Sequence, residues 1–220
     1  MTGSESYPQT VVFPYAPWPE KENAEDRVME FRLVYQGKLP AASNSSTRRK
    51  EKHDIRRVLH AQLKSLWSTH RYLREYLKPT PQGFPSPADR HADKYDRCGY
   101  RFLPLIGEGF GGSADTVCSI DILFLRRDEP GGLVQDGGGD IDNRIKTLFD
   151  AFRMPQDCDE LRGFSVQPDE NPFYCLMKDD SLIAEVKVTT DRLLTPLLDG
   201  EHVNDVQLVV RVKTIMLAAY

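Results

Sequence analysis

Asp140-Ile141-Asp142-Asn143-Arg144-Ile145-Lys146-Thr147-Leu148-Phe149-Asp150-Ala151-Phe152 is the stretch on which the fold turns. Ile145, Leu148, Phe149 and Phe152 fall at i, i+3, i+4 and i+7, which lines apolar side chains along one stripe of a helix. A helix is therefore predicted over 142–152. Upstream, Val117 to Leu125 alternates, with Cys118, Ile120, Ile122 and Phe124 on one face, and reads as a strand. Downstream, Leu182 to Thr190 and Val206 to Ile215 alternate in the same way.

Nearer the start, Met29 to Tyr35 reads as a first strand, and the polar stretch Gly37 to Thr47 as a loop. From Asp54 onward Ile55, Val58, Leu59, Leu63, Leu66 and Trp67 recur at helical spacing, with Asp54 or Thr47 as the expected cap and Trp67 as a core residue. The order is β-α-β-α-β-β, and the expected class is α+β, a mixed β-sheet packed by helices. Residues 1–27, rich in Pro, Ser and Glu, read as an acidic arm, and 28–217 as a single domain. Two segments rich in helix and strand breakers, 78–112 and 153–177, read as insertions into it.

Hydrophobic residues make up 40% and charged residues 28% of the 220, the composition of an ordinary globular protein. No apolar run approaches the roughly 20 residues that cross a bilayer, so no membrane partner is expected. The first residues lack the basic and apolar pattern of a secretion signal. Four cysteines without CxxC spacing read as reduced thiols of a cytoplasmic protein, and a zinc site is not expected. The net charge is −4, yet Arg48 to Arg57 holds six bases against two acids. Arg48, Arg49, Lys50, Lys52, Arg56 and Arg57 are therefore the candidate contacts to nucleic-acid phosphates. The five histidines show no ligand spacing and read mostly as surface residues. The glycine-rich stretches 107–112 and 131–139 lack the lysine of a nucleotide-binding loop.

Chemistry concentrates in two acidic clusters: Asp140 with Asp142, and Asp179 with Asp180 before the next strand. Carboxylates brought together repel unless a cation lies between them, and a site made only of oxygen ligands suits magnesium or manganese. Lys146 sits one helical turn beyond Asp142, placed to meet a phosphate or stabilise a leaving group. Taken singly, each residue has a plain structural reading: a turn at Asp140, a cap at Asp142, an i,i+4 partner at Lys146, and a turn at Asp179-Asp180-Ser181.

Asp140-x-Asp142-Asn143-x-x-Lys146-x-x-x-Asp150-x-Phe152, followed by Asp179-Asp180-Ser181-x-Ile183, resembles the RusA family of Holliday-junction resolvases. The element order is similar as well, and the resemblance runs from about Met29 to Ile215 across the two insertions. It implies a homodimeric, Mg2+-dependent endonuclease, with Mn2+ able to substitute, that cuts branched or four-way DNA during recombination or repair. It also implies that Asp140, Asp142 and Asp180 hold the metal, with Asp179 beside them, and that Lys146 is the essential lysine. Asn143 and Asp150 then support the helix. Two rival readings stand beside it. One is a module that binds branched DNA or a protein without cutting. The other is a metal phosphohydrolase acting on small nucleotides.

Overall fold

The structure, a computed structural model, describes residues 28–39, 45–80, 83–109, 115–127, 141–194 and 205–217. Its elements are β1 (Glu30–Lys38), α1 (Ser45–Thr69), α2 (Leu73–Tyr76), α3 (Pro87–Asp93), β2 (Asp96–Arg97), β3 (Tyr100–Ile106), β4 (Thr116–Arg126), α4 (Ile141–Phe152), β5 (Phe173–Met177), β6 (Ile183–Arg192) and β7 (Asp205–Met216). Short 3-10 turns stand at Cys158–Leu161 and Asp180–Leu182. The class is α+β with mixed sheets, as the patterning predicts.

The main sheet has the order β1-β7-β4-β6, antiparallel except for the β4–β6 pair. Alternation decides its two faces. Cys118, Ile120, Ile122 and Phe124 are fully buried, and Ile120, Ile122 and Phe124 lie opposite Val212, Val210 and Leu208 of β7. This face is closed by Ile55, Leu59, Leu63 and Trp67 of α1 and by Leu148 and Phe152 of α4, all in one core cluster. Of the two stripes read from the sequence, only Val58 falls on an exposed surface. The opposite face carries charge matched across strands. Arg211 meets both oxygens of Glu30 at 2.8 Å, Lys187 lies 3.5 Å from Asp121, and Ser119 donates to Glu185 at 2.9 Å. The outer edge of β1 is covered by Gln62 of α1, which accepts from the Val34 amide at 2.8 Å and donates to its carbonyl at 2.7 Å.

The segments 78–112 and 153–177 build a second sheet, of order β2-β3-β5. β3 and β5 pair in parallel, and β5 is buried throughout, so both read as continuous apolar runs without alternation. Some prolines and glycines in these segments serve as boundaries, whereas Pro104 lies within β3 opposite Cys175. Pro87 opens α3 behind Ser86, whose hydroxyl accepts from the Asp89 amide at 3.0 Å. Cys98 and Gly99 form the two-residue turn between β2 and β3, with φ of 55° and 85°. Positive φ at both positions is what a tight hairpin turn of this length requires.

Two sequence expectations are corrected here. Cys98 and Cys158 form a disulfide with their Cα atoms 5.9 Å apart, while Cys118 and Cys175 are free and buried. The four cysteines are thus not all reduced thiols, and the cytoplasmic expectation loses that support. Scattered spacing along the chain does not reveal that the β2–β3 turn meets the 158–161 turn.

Three of the histidines, moreover, are core residues: His53, His60 and His91 are 0%, 2% and 4% exposed. His60 accepts the Tyr174 amide on Nδ1 at 2.9 Å, so its proton lies on Nε2, facing the Asp169 carbonyl at 3.2 Å. His53 stacks on Phe164 with ring centroids 4.1 Å apart, and neither of its nitrogens has a hydrogen-bond partner among the described residues. Burial, reinforced by Arg57 and Arg56, pushes the His53 imidazole down to about 4.

A buried neutral imidazole stabilises the fold fully above its ordinary value of 6.5, and that contribution is lost as pH falls toward 4. His53→Phe keeps the stacked ring and removes the titration. Denaturant unfolding is expected to show wild type losing about 2 kcal/mol more than the variant between pH 7 and pH 4. Parallel pH profiles for the two proteins would refute this.

Candidate functional site

α4 sorts its residues by face. Arg144, Thr147, Leu148, Ala151 and Phe152 are buried, while Asp142, Asn143 and Lys146 are exposed. Asp142 and Lys146 stand one turn apart, and neither has a side-chain partner among the described residues. Asp142 lies in the first turn of the helix, where the exposed amide ends favour an anion.

The second acidic cluster begins the 3-10 turn that precedes β6. Asp179 caps this turn by accepting the Ser181 amide at 3.0 Å, and the Ser181 hydroxyl and amide hold its carboxyl below the usual aspartate range. Asp180 is exposed and has no side-chain partner among the described residues. The turn packs against α4 at its C-terminal end, where Arg153 bridges Met177. There Arg153 and Gln156 lie close enough to Asp179 to help lower its carboxyl, whereas Asp142 stands in the first turn of that helix. Close approach of backbones fixes the turn from its other side. A Cβ on Gly107 would lie 3.2 Å from Lys178 Cβ, and Lys178 pairs with Glu108.

Asp140 lies outside the described residues. Among the described residues, no group of three His, Cys, Asp or Glu side chains stands close enough to share a metal ion. Asp142, Asp179 and Asp180 therefore do not form a three-carboxylate cluster by themselves.

Asp150 has a different part. It accepts from Arg153 at 2.9 Å and faces Lys52 at 3.4 Å, tying the end of α4 to α1. Glu160, from the 158–161 turn, meets Arg56 at 2.7 Å, Arg153 at 3.0 Å and Lys52 at 3.7 Å. Burial alone would raise the Glu160 carboxyl, but the neighbouring Arg56, Arg153 and Lys52 override it and hold it down to about 2. Arg57 is bonded in turn to Glu170 at 2.7 Å.

This network corrects the expected phosphate-binding segment. Arg56 is 2% and Lys52 8% exposed, so neither presents its charge to a ligand, and Arg57 is spent on a buried carboxylate. Lys50 pairs with Asp54 at 2.5 Å, and Arg49 donates to the Asp159 carbonyl at 3.3 Å. Arg48 is half-buried. Three of the six bases, Lys52, Arg56 and Arg57, are neutralised within the first turns of α1 by Asp150, Glu160 and Glu170. The helix starts at Ser45, well before its apolar stripe, so Thr47 and Asp54 both lie inside it and neither is its cap. One signal for this was present in the sequence, since 153–177 is acid-rich.

No family model, curated protein or solved structure matches the chain. No helix among the described residues is long and apolar enough to cross a membrane.

Proposed function

We propose that the chain is a divalent-metal-dependent endonuclease that acts on branched DNA as a homodimer, in the manner of the RusA resolvases it resembles. The supporting observation is the division of labour among its charges. Asp150, Asp179, Glu160, Lys52, Arg56 and Arg153 are consumed by internal bonds, whereas Asp142, Lys146 and Asp180 are exposed and have no side-chain partner among the described residues. Solvated carboxylates are donors of the hard-oxygen kind that magnesium and manganese take.

On this reading Asp140, Asp142 and Asp180 hold the metal, with Asp179 shaping the turn that carries Asp180. The bound ion supplies Lewis-acid activation of water and charge neutralisation at the phosphorus. Lys146, one turn along from Asp142, meets the non-bridging phosphate oxygens and stabilises the charge that develops there. Asp179 caps the 180–182 turn, and the apolar stripe of α4 holds Asp142 and Lys146 on the solvent side.

The test is cleavage of a synthetic four-way junction with Mg2+ or Mn2+, compared with linear duplex. Asp142→Asn is expected to reduce cleavage by about a hundredfold or more while leaving the unfolding midpoint unchanged. If folded wild type binds the junction but never nicks it, the non-cleaving module is the right description. Turnover of a mononucleotide with no DNA binding would select the small-nucleotide hydrolase.

A further inference from the structure

The two edges of the main sheet differ. Gln62 covers the outer edge of β1, whereas β6 pairs only with β4, and nothing among the described residues bonds its other side. β6 is 10 residues long, and Ala184, Glu185, Val186 and Lys187 are exposed in succession, so the strand is bare on both faces there. Val186 is 43% exposed although it lies on the face of Ile120, which is core.

Backbone phase decides what this edge offers. In a parallel pair every second residue turns both its amide and its carbonyl toward the neighbouring strand. The Leu193 amide donates to the Arg126 carbonyl at 2.6 Å, and the register is unbroken from Ser119 opposite Glu185 to Arg126 opposite Arg192. Glu185, Lys187, Thr189 and Asp191 therefore face β4, while Val186, Val188 and Thr190 turn amide and carbonyl outward. The Arg192 amide, next in the series, is taken by the Asp191 carboxylate at 2.7 Å, which closes the edge at that end. An unpaired strand edge is a template for a further strand.

The side chains select which strand. An antiparallel copy of β6, turned about a two-fold axis at Val186, sets Val186 against Val186 and Val188 against Ala184, and so buries the exposed apolar groups. On the opposite face it sets Glu185 against Lys187 on both sides of the axis. That face already pairs Lys187 with Asp121 at 3.5 Å and Glu185 with Ser119 at 2.9 Å, so the charge matching of the sheet continues across the axis. An axis at Lys187 would oppose two lysines, and one at Val188 would oppose Glu185 to Asp191.

We propose that β6 is a self-association surface: two copies of the chain join through antiparallel β6 strands centred on Val186, which fuses their four-stranded sheets into one. This deepens the homodimeric part of the endonuclease reading and rests on that reading only for expecting a second copy.

The test is sedimentation equilibrium without metal or DNA. A strand edge alone falls below the roughly 1,200 Å² of a stable interface, so dissociation is expected in the micromolar range. Val186→Pro removes an outward amide, leaves the β4–β6 ladder intact, and is expected to weaken dimerisation about tenfold or more. Lys187→Glu should weaken it too, and Glu185→Lys/Lys187→Glu should restore it to within a fewfold of wild type. Two of the natural cysteines are buried and two are bonded to each other, so Val186→Cys adds a single accessible thiol. Mild oxidation should link it to its copy. Thr189→Cys, about 20 Å from its counterpart in this register, should stay unlinked on a non-reducing gel.

A wild type that stays monomeric up to about 100 µM would overturn the proposal and leave β6 as an edge guarded by Lys187 and the bulge beside Cys118. So would a dimer unmoved by these substitutions, or one linked through Thr189→Cys rather than Val186→Cys. Junction cleavage by a monomer would sink this interface and spare the endonuclease reading. A β6 dimer that cuts no DNA would do the reverse.

Discussion

Glu160→Ala is expected to destabilise the protein by about 3–5 kcal/mol, enough to remove much of the roughly 5–15 kcal/mol that holds a domain folded. The carboxylate serves Arg56, Arg153 and Lys52 together, and these are 2%, 5% and 8% exposed. Truncation leaves three cations buried around Asp150 alone, and an uncompensated buried charge costs more than a missing contact. Glu160→Gln keeps the shape and loses the charge, so it should recover only part of the deficit. Chemical denaturation of the three proteins at pH 7 reads the difference directly.

The same group predicts a response to acid. Its folded carboxyl is held down to about 2, below the ordinary 4.5, so its contribution is present above 4.5 and disappears as pH falls toward 2. Wild type and Glu160→Ala should converge in stability across that window. A penalty under about 1 kcal/mol at pH 7 would show that the network does not tie the helices together.

Trp67→Ala is expected to cost about 3–5 kcal/mol. The indole is fully buried at the end of the stripe formed by Ile55, Leu59 and Leu63. Its ring centroid lies 6.0 Å from that of Tyr174 on β5, so it joins the main core to the second sheet. Removing it opens a cavity where two layers meet. Leu66→Ala, at a half-buried site on the same helix, should cost less than half as much. Equal midpoints for Trp67→Ala and wild type in urea would show that the second sheet does not depend on this contact.

Much of the architecture was legible because it repeats locally. Alternation in 117–125 and 206–215 and the apolar stripes of α1 and α4 each encode a face that must be buried, whatever lies across it. The strands 100–106 and 173–177 escaped the same reading. Buried on both sides, they show no alternation, and their flanking prolines and glycines looked like breaks when they mark ends. The basic run 48–57 misled for a related reason. A charge count shows that six bases are present, but not which carboxylates face them.

The candidate site divides along the same line. The amino-acid order alone determined that Asp142 and Lys146 share the solvent side of a helix, and that Asp179 and Asp180 precede a strand. Only the tertiary structure decided that Asp179 caps its turn, that Asp150 and Glu160 are held by Lys52, Arg56 and Arg153, and that Cys98 meets Cys158. Periodicity is a property of neighbours in the chain, and three or four residues suffice to express it. Pairing of charges and thiols depends on residues as far apart as 56 and 160, which meet only once both sheets have packed around α1.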